Sequence, residues 1–438
     1  MTSIARTLRI GALASLTVVP AALAQTPALV PVRTLTTLAA SRDTFGAPLN
    51  VHHLPGARVL VNDAKLHRLV VLDSTMRVAR VVLDSITGAG NSYGTRPEPV
   101  LPYGDSALFV DDASHSFVLI NPDGTVGRSV AAPEDRGMWA VAANSQGVDI
   151  QGRMFYRGLV LRRGKDAPGI SVRLVGYAGG GPISSADSLP LIRADLATRH
   201  VDTIAALRNG SAKRTATTKD AKGAEWNTSY VNPMLAGDEW ALLSDGTIAI
   251  VRGHDYHIDW IALDGAVTST GKLPFDWKRL SDEDKTRVRD SAMAANAKSD
   301  SIDEARLRAA LGGSNNAAAV SRSAGNGAAP DGPIQIPKRN TIVVPIDSFP
   351  DYFPAVRPNA ARGDRDGNLW ILPSTSAQSL AGELVYDVVN KQGELAYRVR
   401  VPLGRSIAGF GPGGVVYLLH GDLTHGFAIE RARVNDAH

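Results

Sequence analysis

The feature that most constrains this chain is a short unit that recurs along it: a β-branched or aromatic run, an Asp-containing turn, a second such run, another turn and a third run. The first clear copy reads Arg58 to Asp63, Arg68 to Asp73 and Val78 to Leu83. A second follows about 49 residues later with Ala107 to Asp112, Phe117 to Ile120, the turn Asn121-Pro122-Asp123-Gly124, and Thr125 to Val130, so that Asp63-Ala64 and Asp112-Ala113 stand in register. Later copies run through Val148 to Tyr156, Leu189 to Asp195 and His200 to Leu207, then through Trp240 to Leu243, Thr247 to Arg252, His257 to Leu263 and Ala266 to Thr270. Two more are built on Leu369 to Leu372, Leu384 to Val389 and Glu394 to Val401, and on Val415 to Leu419 with Phe427 to Val434.

Asp-Gly and related pairs supply the positive φ of tight hairpins, and the flanking runs suit a pleated surface. Hairpins repeating every 40–60 residues or so are the sequence signature of propeller blades, so the expectation is an all-β chain, a β-propeller of about six four-stranded blades. A pair of β-sandwiches would show strands at similar spacing. The propeller is favoured because the unit recurs along the chain instead of in two clusters. Its last copy has only two clear strands, and Thr34 to Leu38 is expected to supply an outer strand beside Phe427 to Val434.

Arg6 and Arg9 precede an apolar run from Ile10 to Ala24 that ends in Ala22-Leu23-Ala24, the pattern of a secretory signal peptide over residues 1–24. The run is shorter than the roughly 20 residues of a membrane span. Export to the periplasm or the extracellular space is therefore expected, with no membrane span after cleavage. Removing those two arginines lowers a formal net charge of only +4, and no basic cluster is interleaved with aromatics, so nucleic acid is not an expected partner. The chain has no cysteine, so disulfides are excluded and stability has to come from a large core, which a 44% hydrophobic composition can supply. A monomer is expected.

The repeats divide the mature chain into propeller segments 25–279 and 341–438, separated by an insertion at 280–340. Ser281 followed by Asp282, Glu283 and Asp284 marks a helix start, and one or two surface helices are expected up to Leu311. Gly312 to Gly332, rich in Gly, Asn, Ala and Ser, is expected to be a disordered loop.

Asp245 to Arg252 with Asp255 to Trp260 and Asp264-Gly265, and Phe349 to Ala355 leading into Asp364 and Asp366 to Trp370, resemble the NHL/TolB-like six-bladed β-propeller proteins exported by bacteria. The resemblance spans most of residues 34–434, and its motifs are blade grammar that implies a fold more than an activity. Where many such proteins carry a Gly-Pro-Gly-Glu-Phe-like turn, this chain reads Gly88-Ala89-Gly90-Asn91-Ser92-Tyr93-Gly94.

Gly409 to Gly414 matches a dinucleotide fingerprint letter by letter but precedes a strand instead of opening a helix, so it reads as a turn. The candidate ligand-binding residues are His52 and His53, just ahead of a first strand, His254, the loop cations Arg96, Arg357 and Arg362, and the aromatics Tyr93 and Tyr352. Trp139, Trp240, Trp260 and Trp370 read as inter-blade core. The resemblance also admits a metal-dependent lactonase, for which Asp63, Asp112, Asn232, Asp245 and Asp366 are oxygen donors of the right kind for a divalent cation such as calcium, although each also sits where a turn favours Asp or Asn. Among the motifs of nucleophilic and zinc hydrolases, none occurs. The leading expectation is an exported binding or scaffold module with a protein or small-molecule ligand on a propeller face, no cofactor and no assigned catalytic residue. The alternative is a metal-dependent hydrolase or lyase of the lactonase or streptogramin-lyase type, with its site at the central channel.

Overall fold

The computed structural model describes residues 30–85, 92–94, 99–111, 114–133, 141–142, 145–158, 187–210, 213–219, 225–312, 339–376, 378–379 and 382–435. The expected signal peptide, Arg96, Asp112, Trp139 and the expected loop after Gly312 lie outside the described residues.

Two N-terminal strands, β1 (Val32–Arg33) and β2 (Leu35–Ala40), precede the first antiparallel meander, β3 (Pro48–Leu54), β4 (Arg58–Asp63), β5 (Arg68–Leu72) and β6 (Val78–Leu83). The next two are β7 (Val100–Tyr103) to β10 (Val126–Ala131), with β8 (Ser106–Asp111) and β9 (Ser116–Ile120) between, and β11 (Ser145–Val148) to β14 (Val201–Arg208), with β12 (Arg153–Arg157) and β13 (Ser188–Asp195) between. A single parallel pair, Val148 with Tyr103, joins these two into one eight-stranded sheet. A hairpin, β15 (Lys213–Lys219) and β16 (Glu225–Val231), then leads into the meander β17 (Glu239–Leu242), β18 (Ile248–Arg252), β19 (His257–Ile261) and β20 (Val267–Ser269).

After a long helix, α1 (Asp282–Gly312), strand β21 (Arg339–Val343) pairs in parallel with β16. The chain continues into β22 (Val356–Gly363), β23 (Leu369–Pro373), β24 (Leu384–Val389) and β25 (Leu395–Val401), with β1 added in parallel to β25. It ends in β26 (Arg405–Phe410), β27 (Val415–Asp422) and β28 (Gly426–Val434). Strand β2 pairs antiparallel with β28, Leu35 opposite Val434, so the chain's beginning completes its last sheet as the sequence implied and covers an edge.

The middle strands read as unbroken apolar runs because each meander is covered on both faces, and β4 and β18 are buried almost end to end. Each seam between consecutive meanders holds its own apolar cluster: Leu60, Phe109 and Tyr93 between the first two, Leu108, Met154 and Tyr156 at the next, and Phe155, Trp240 and Ile250 after that. Tyr256, Ala361 and Ile371 fill the following seam, Trp370, Val399 and Val416 the one after, and Val61, Tyr417 and Ile429 close the ring. At about 1.5–3 kcal/mol per fully buried large apolar side chain, these seams replace the disulfides that the chain lacks. Meanders packed face to face and closed by the terminal strand make this an all-β propeller.

Helix α1 begins as a capping box: Ser281 Oγ accepts from the Asp284 backbone N–H at 3.1 Å, and Asp284 Oδ2 accepts from the Ser281 N–H at 3.3 Å. Its first turns pack Val288 and Ala292 on Met234, Leu280, Val343 and Phe349. The hairpin β15–β16, with its Lys-, Thr- and Asn-rich strands, was not legible in the sequence. No described helix is long and apolar enough to cross a membrane.

Candidate functional site: the central channel

The strand that opens each meander, β3, β7, β11, β17, β22 or β26, is the innermost one, and together they line a cavity of about 940 Å³. Turns that follow these strands ring its mouth, among them Pro55-Gly56, Gly104-Asp105, Asp149-Ile150, Asp364-Arg365 and Pro412. The opposite face carries the long insertions, because β15, β16, β21 and α1 all lie in connections that enter an innermost strand.

Inner strands meet where the ring is narrowest, and the sequence manages this in two alternating ways. At three seams a polar side chain donates to a main-chain carbonyl of the next inner strand: Asn50 Nδ2 to Val100, Gln146 Nε2 to Trp240, and Arg362 Nη1 to Ile407 at 2.7 Å. At the seams between them a glycine lets the backbones touch. A Cβ on Gly147, Gly363 or Gly409 would collide with the carbonyl oxygen of Pro102, Leu242 or Val51.

His52 and His53 lie within β3, not ahead of a strand, and both line the cavity. His52 is 6% exposed, its ring is bonded to the Ser106 backbone, and its Nε2 has no partner. Burial, helped by the charge of Arg365 and by His53, pushes its pKa down to about 3, so the ring is neutral. His53 shares a 2.7 Å hydrogen bond with the Tyr417 hydroxyl across the closing seam, and burial also lowers its pKa. Burial pushes the Tyr417 phenol up to about 12, so it keeps its proton. Arg362 is the third sequence candidate that the fold brings to this cavity.

Two contacts cross or clasp the mouth. Arg365 reaches from the β22–β23 turn to the β7–β8 turn, donating to Gly104 O at 2.6 Å and Asp105 Oδ1 at 2.5 Å. The meanders β3–β6 and β26–β28 lie to one side of this pair and β11–β14 and β17–β20 to the other, so it spans the opening. Beside it, both carboxylate oxygens of Asp366 accept from the backbone N–H groups of Gly413 and Gly414, at 2.9 and 2.8 Å. Both glycines have φ of +70°, so the fingerprint-like segment is a nest of amides occupied by a neighbouring turn's carboxylate.

The remaining candidates are placed elsewhere. Tyr93 is a core residue: it is 1% exposed, donates to Asn62 Oδ1 at 2.5 Å and stacks on His67, because the apolar seam and the buried amide together satisfy ring and hydroxyl. His254 is exposed in the β18–β19 turn. Tyr352 is half exposed at the end of an edge-to-face aromatic row through Trp277 and Phe275, and Arg357 is exposed, donating to Ser374 O at 3.2 Å.

The four described cation-ligand candidates do not converge. Asp63 is fully buried and accepts from the Gly46 and Ala47 amides. Asn232 caps Met234 N and donates to Ser348 O, Asp245 accepts from Thr247 N in its own turn, and Asp366 holds the glycine nest. Among the described residues no group of three or more His, Asp or Glu is placed to hold a metal ion. Sequence reasoning missed Asn50, Gln146, Asp105 and Arg365.

No protein-family model and no curated protein matches the sequence. Solved structures with a similar course of sheets include a member of the DUF4221 family from Bacteroides vulgatus, at 10% identity over 92% of this chain and 98% of that one with a TM-score of 0.43. Another is virginiamycin B lyase from Staphylococcus aureus, at 10% identity over 92% and 99% with a TM-score of 0.34. A third is the calcium-binding protein regucalcin from Agrobacterium tumefaciens, at 11% over 93% and 98% with a TM-score of 0.29. At such scores the function has to be argued from this chain's own residues.

Proposed function

We propose that the chain is an exported six-bladed β-propeller that acts as a binding module for a small polar molecule held in its central channel. The count of six takes the eight-stranded sheet as two blades, since only one residue pair joins its halves. The observation that carries the reading is the cavity itself. It is about 940 Å³, drug-sized or larger, and it is lined by strands whose buried Asn50 Oδ1 and His52 Nε2 have no partner in the protein. The other buried side-chain atoms without a partner among the described residues, the Nε of Arg33, Arg68, Arg157 and Arg400 and Asn296 Nδ2, are donors outside the channel wall, so the two unmet acceptors stand together in the cavity wall, as groups kept for a ligand would.

The reading calls for no resident cofactor, and the expected oligomeric state is a monomer. The cation-dependent alternative is not carried forward, because the four candidate ligands among the described residues, Asp63, Asn232, Asp245 and Asp366, are committed to turns and seams.

The experiment is a calorimetric screen of the mature protein against mono- and dicarboxylates, amino acids, sugars and sugar phosphates, repeated on Ser244→Trp. Ser244 is an exposed residue of the channel wall whose side chain makes no hydrogen bond to the described residues, so the indole should obstruct the channel without unfolding the protein. Binding that is lost in Ser244→Trp supports the reading, and binding that survives it unchanged places the site elsewhere. Export is tested by N-terminal sequencing of the secreted protein: a start at Gln25 is expected, and a retained Met1 would contradict it.

A further inference from the structure

The charges of the channel wall point to the chemistry of the ligand, an inference that rests on the channel reading. Of the acidic residues there, Asp149 is spent on Arg153, at 2.7 Å to both Nε and Nη2, and on the amides of Gln151 and Arg153. Asp364 accepts from the backbone N–H groups of Asp366 and Asn368, from Asn368 Nδ2 and from Trp370 Nε1. Asp105 alone remains, 61% exposed at the mouth, and its partner Arg365 is 25% exposed. An ion pair in that setting is weakly held and readily exchanged.

The cations are left with capacity. Among the described residues the Arg362 side chain makes one hydrogen bond, to the Ile407 carbonyl, and has no carboxylate within ion-pair distance. A guanidinium with one of its five donors used is a strong site for a carboxylate, which it can meet with two parallel bonds. The two unmet acceptors want the opposite. Asn50 Oδ1 has a fixed orientation because Nδ2 donates to Val100, and the ring of His52, neutral and bonded to the Ser106 backbone, leaves Nε2 as a lone pair. The wall thus combines guanidinium donors that need an anion with two acceptors just beneath its surface, closed to water in the free protein, that need O–H or N–H donors.

We propose that the channel takes a hydroxycarboxylate, with its carboxylate on Arg362 and Arg365 and its hydroxyls toward Asn50 and His52, and that Asp105 is a built-in competitor which the ligand displaces from Arg365 on entry. No bond is made or broken; the event is an exchange of ion-pair partners.

Three four-carbon probes separate the parts: tartrate carries both functions, succinate only the carboxylates and threitol only the hydroxyls. In saturation-transfer NMR titrations of the mature protein, tartrate should bind tightest, with threitol about tenfold or more weaker. Arg362→Gln should weaken tartrate by about tenfold and leave threitol within about twofold, and Asp105→Asn, which removes the competitor, should strengthen tartrate about threefold or more. Threitol binding as tightly as tartrate, tartrate indifferent to Arg362→Gln, or no binding of any probe up to about 0.1 M would overturn the inference. If the broader screen still shows binding that Ser244→Trp abolishes, the channel reading stands and only the ligand class falls.

Discussion

Replacing Tyr256 by Phe removes one hydroxyl from the most deeply buried polar pin between two blades. That hydroxyl donates to Asp387 Oδ2 at 2.6 Å across the seam from β18–β19 to β24, while Arg398 Nε holds Oδ1 at 2.8 Å. Asp387 is 1% exposed, so water cannot replace the lost donor. A buried hydrogen bond to a charged group is worth about 1.5–3 kcal/mol, and the substitution should cost about 2 kcal/mol near neutral pH. The pH dependence has a definite sign. Burial raises the Asp387 pKa above its ordinary 3.8 in spite of Tyr256 and Arg398, so the native state holds this proton more tightly than the unfolded state does. Keeping the carboxylate ionised therefore costs stability, a cost that is complete above the native pKa and is relieved as pH falls through it. Without the tyrosine the pKa rises further, and the difference between the two proteins must shrink in acid. Urea midpoints at about pH 7.5 and about pH 4.5 test this: a loss of about 2 kcal/mol should fall to half or less. Equal losses at both pH values would refute the charge-assisted pin.

The glycine seams predict that Gly363→Ala, whose Cβ would meet the Leu242 carbonyl, costs about 2–3 kcal/mol, whereas Gly265→Ala, with open space and only its φ of +89° to strain it, costs about 1; similar losses by urea unfolding would remove the close-approach argument. His52, held neutral with a pKa of about 3 against 6.5 when unfolded, contributes stability that is present above about pH 6.5 and is lost as pH falls toward 3, on the order of 5 kcal/mol in all. His52→Gln should accordingly flatten the acid limb of the stability profile, and an unchanged limb would show that the ring is not buried neutral. Tyr417→Phe, facing a half-buried neutral His53, should cost no more than about 1 kcal/mol and show no relief in acid.

The middle strands of each blade were legible because burial on both faces demands continuous runs such as Val59 to Val61 and Ile248 to Val251. Of the innermost strands only β17, with its apolar Trp240-Ala241-Leu242, was legible; the others were not. They face a polar channel on one side and each other at close range, so they carry Asn50, His52 and Gln146, the prolines of β7 and β22, and glycines at the contact points. Such strands read as loops, and in the sequence His52-His53, Arg357 and Arg362 therefore read as parts of connections. A usable signal was nevertheless present: the donors Asn50, Gln146 and Arg362 stand seven or eight residues ahead of Arg58, Arg153 and Leu369, the first residues of the following strands. The Arg365–Asp105 pair had no signal, since its partners belong to turns on opposite sides of the ring. The hairpin of β15 and β16 was missed because its strands lack large apolar runs, and the four described cation-ligand candidates failed to converge because each already serves a turn or a seam.

The central claim is that the channel enclosed by the innermost strands is the ligand site. A crystal structure of the protein with the tightest binder from the calorimetric screen tests it most directly. The account predicts density inside the channel, against Arg362 and within hydrogen-bond distance of His52 Nε2 or Asn50 Oδ1, with Arg365 released from Asp105. Density on the insertion-bearing face around Trp277 and Tyr352, with the channel side chains unmoved and Arg365 still paired to Asp105, would contradict it.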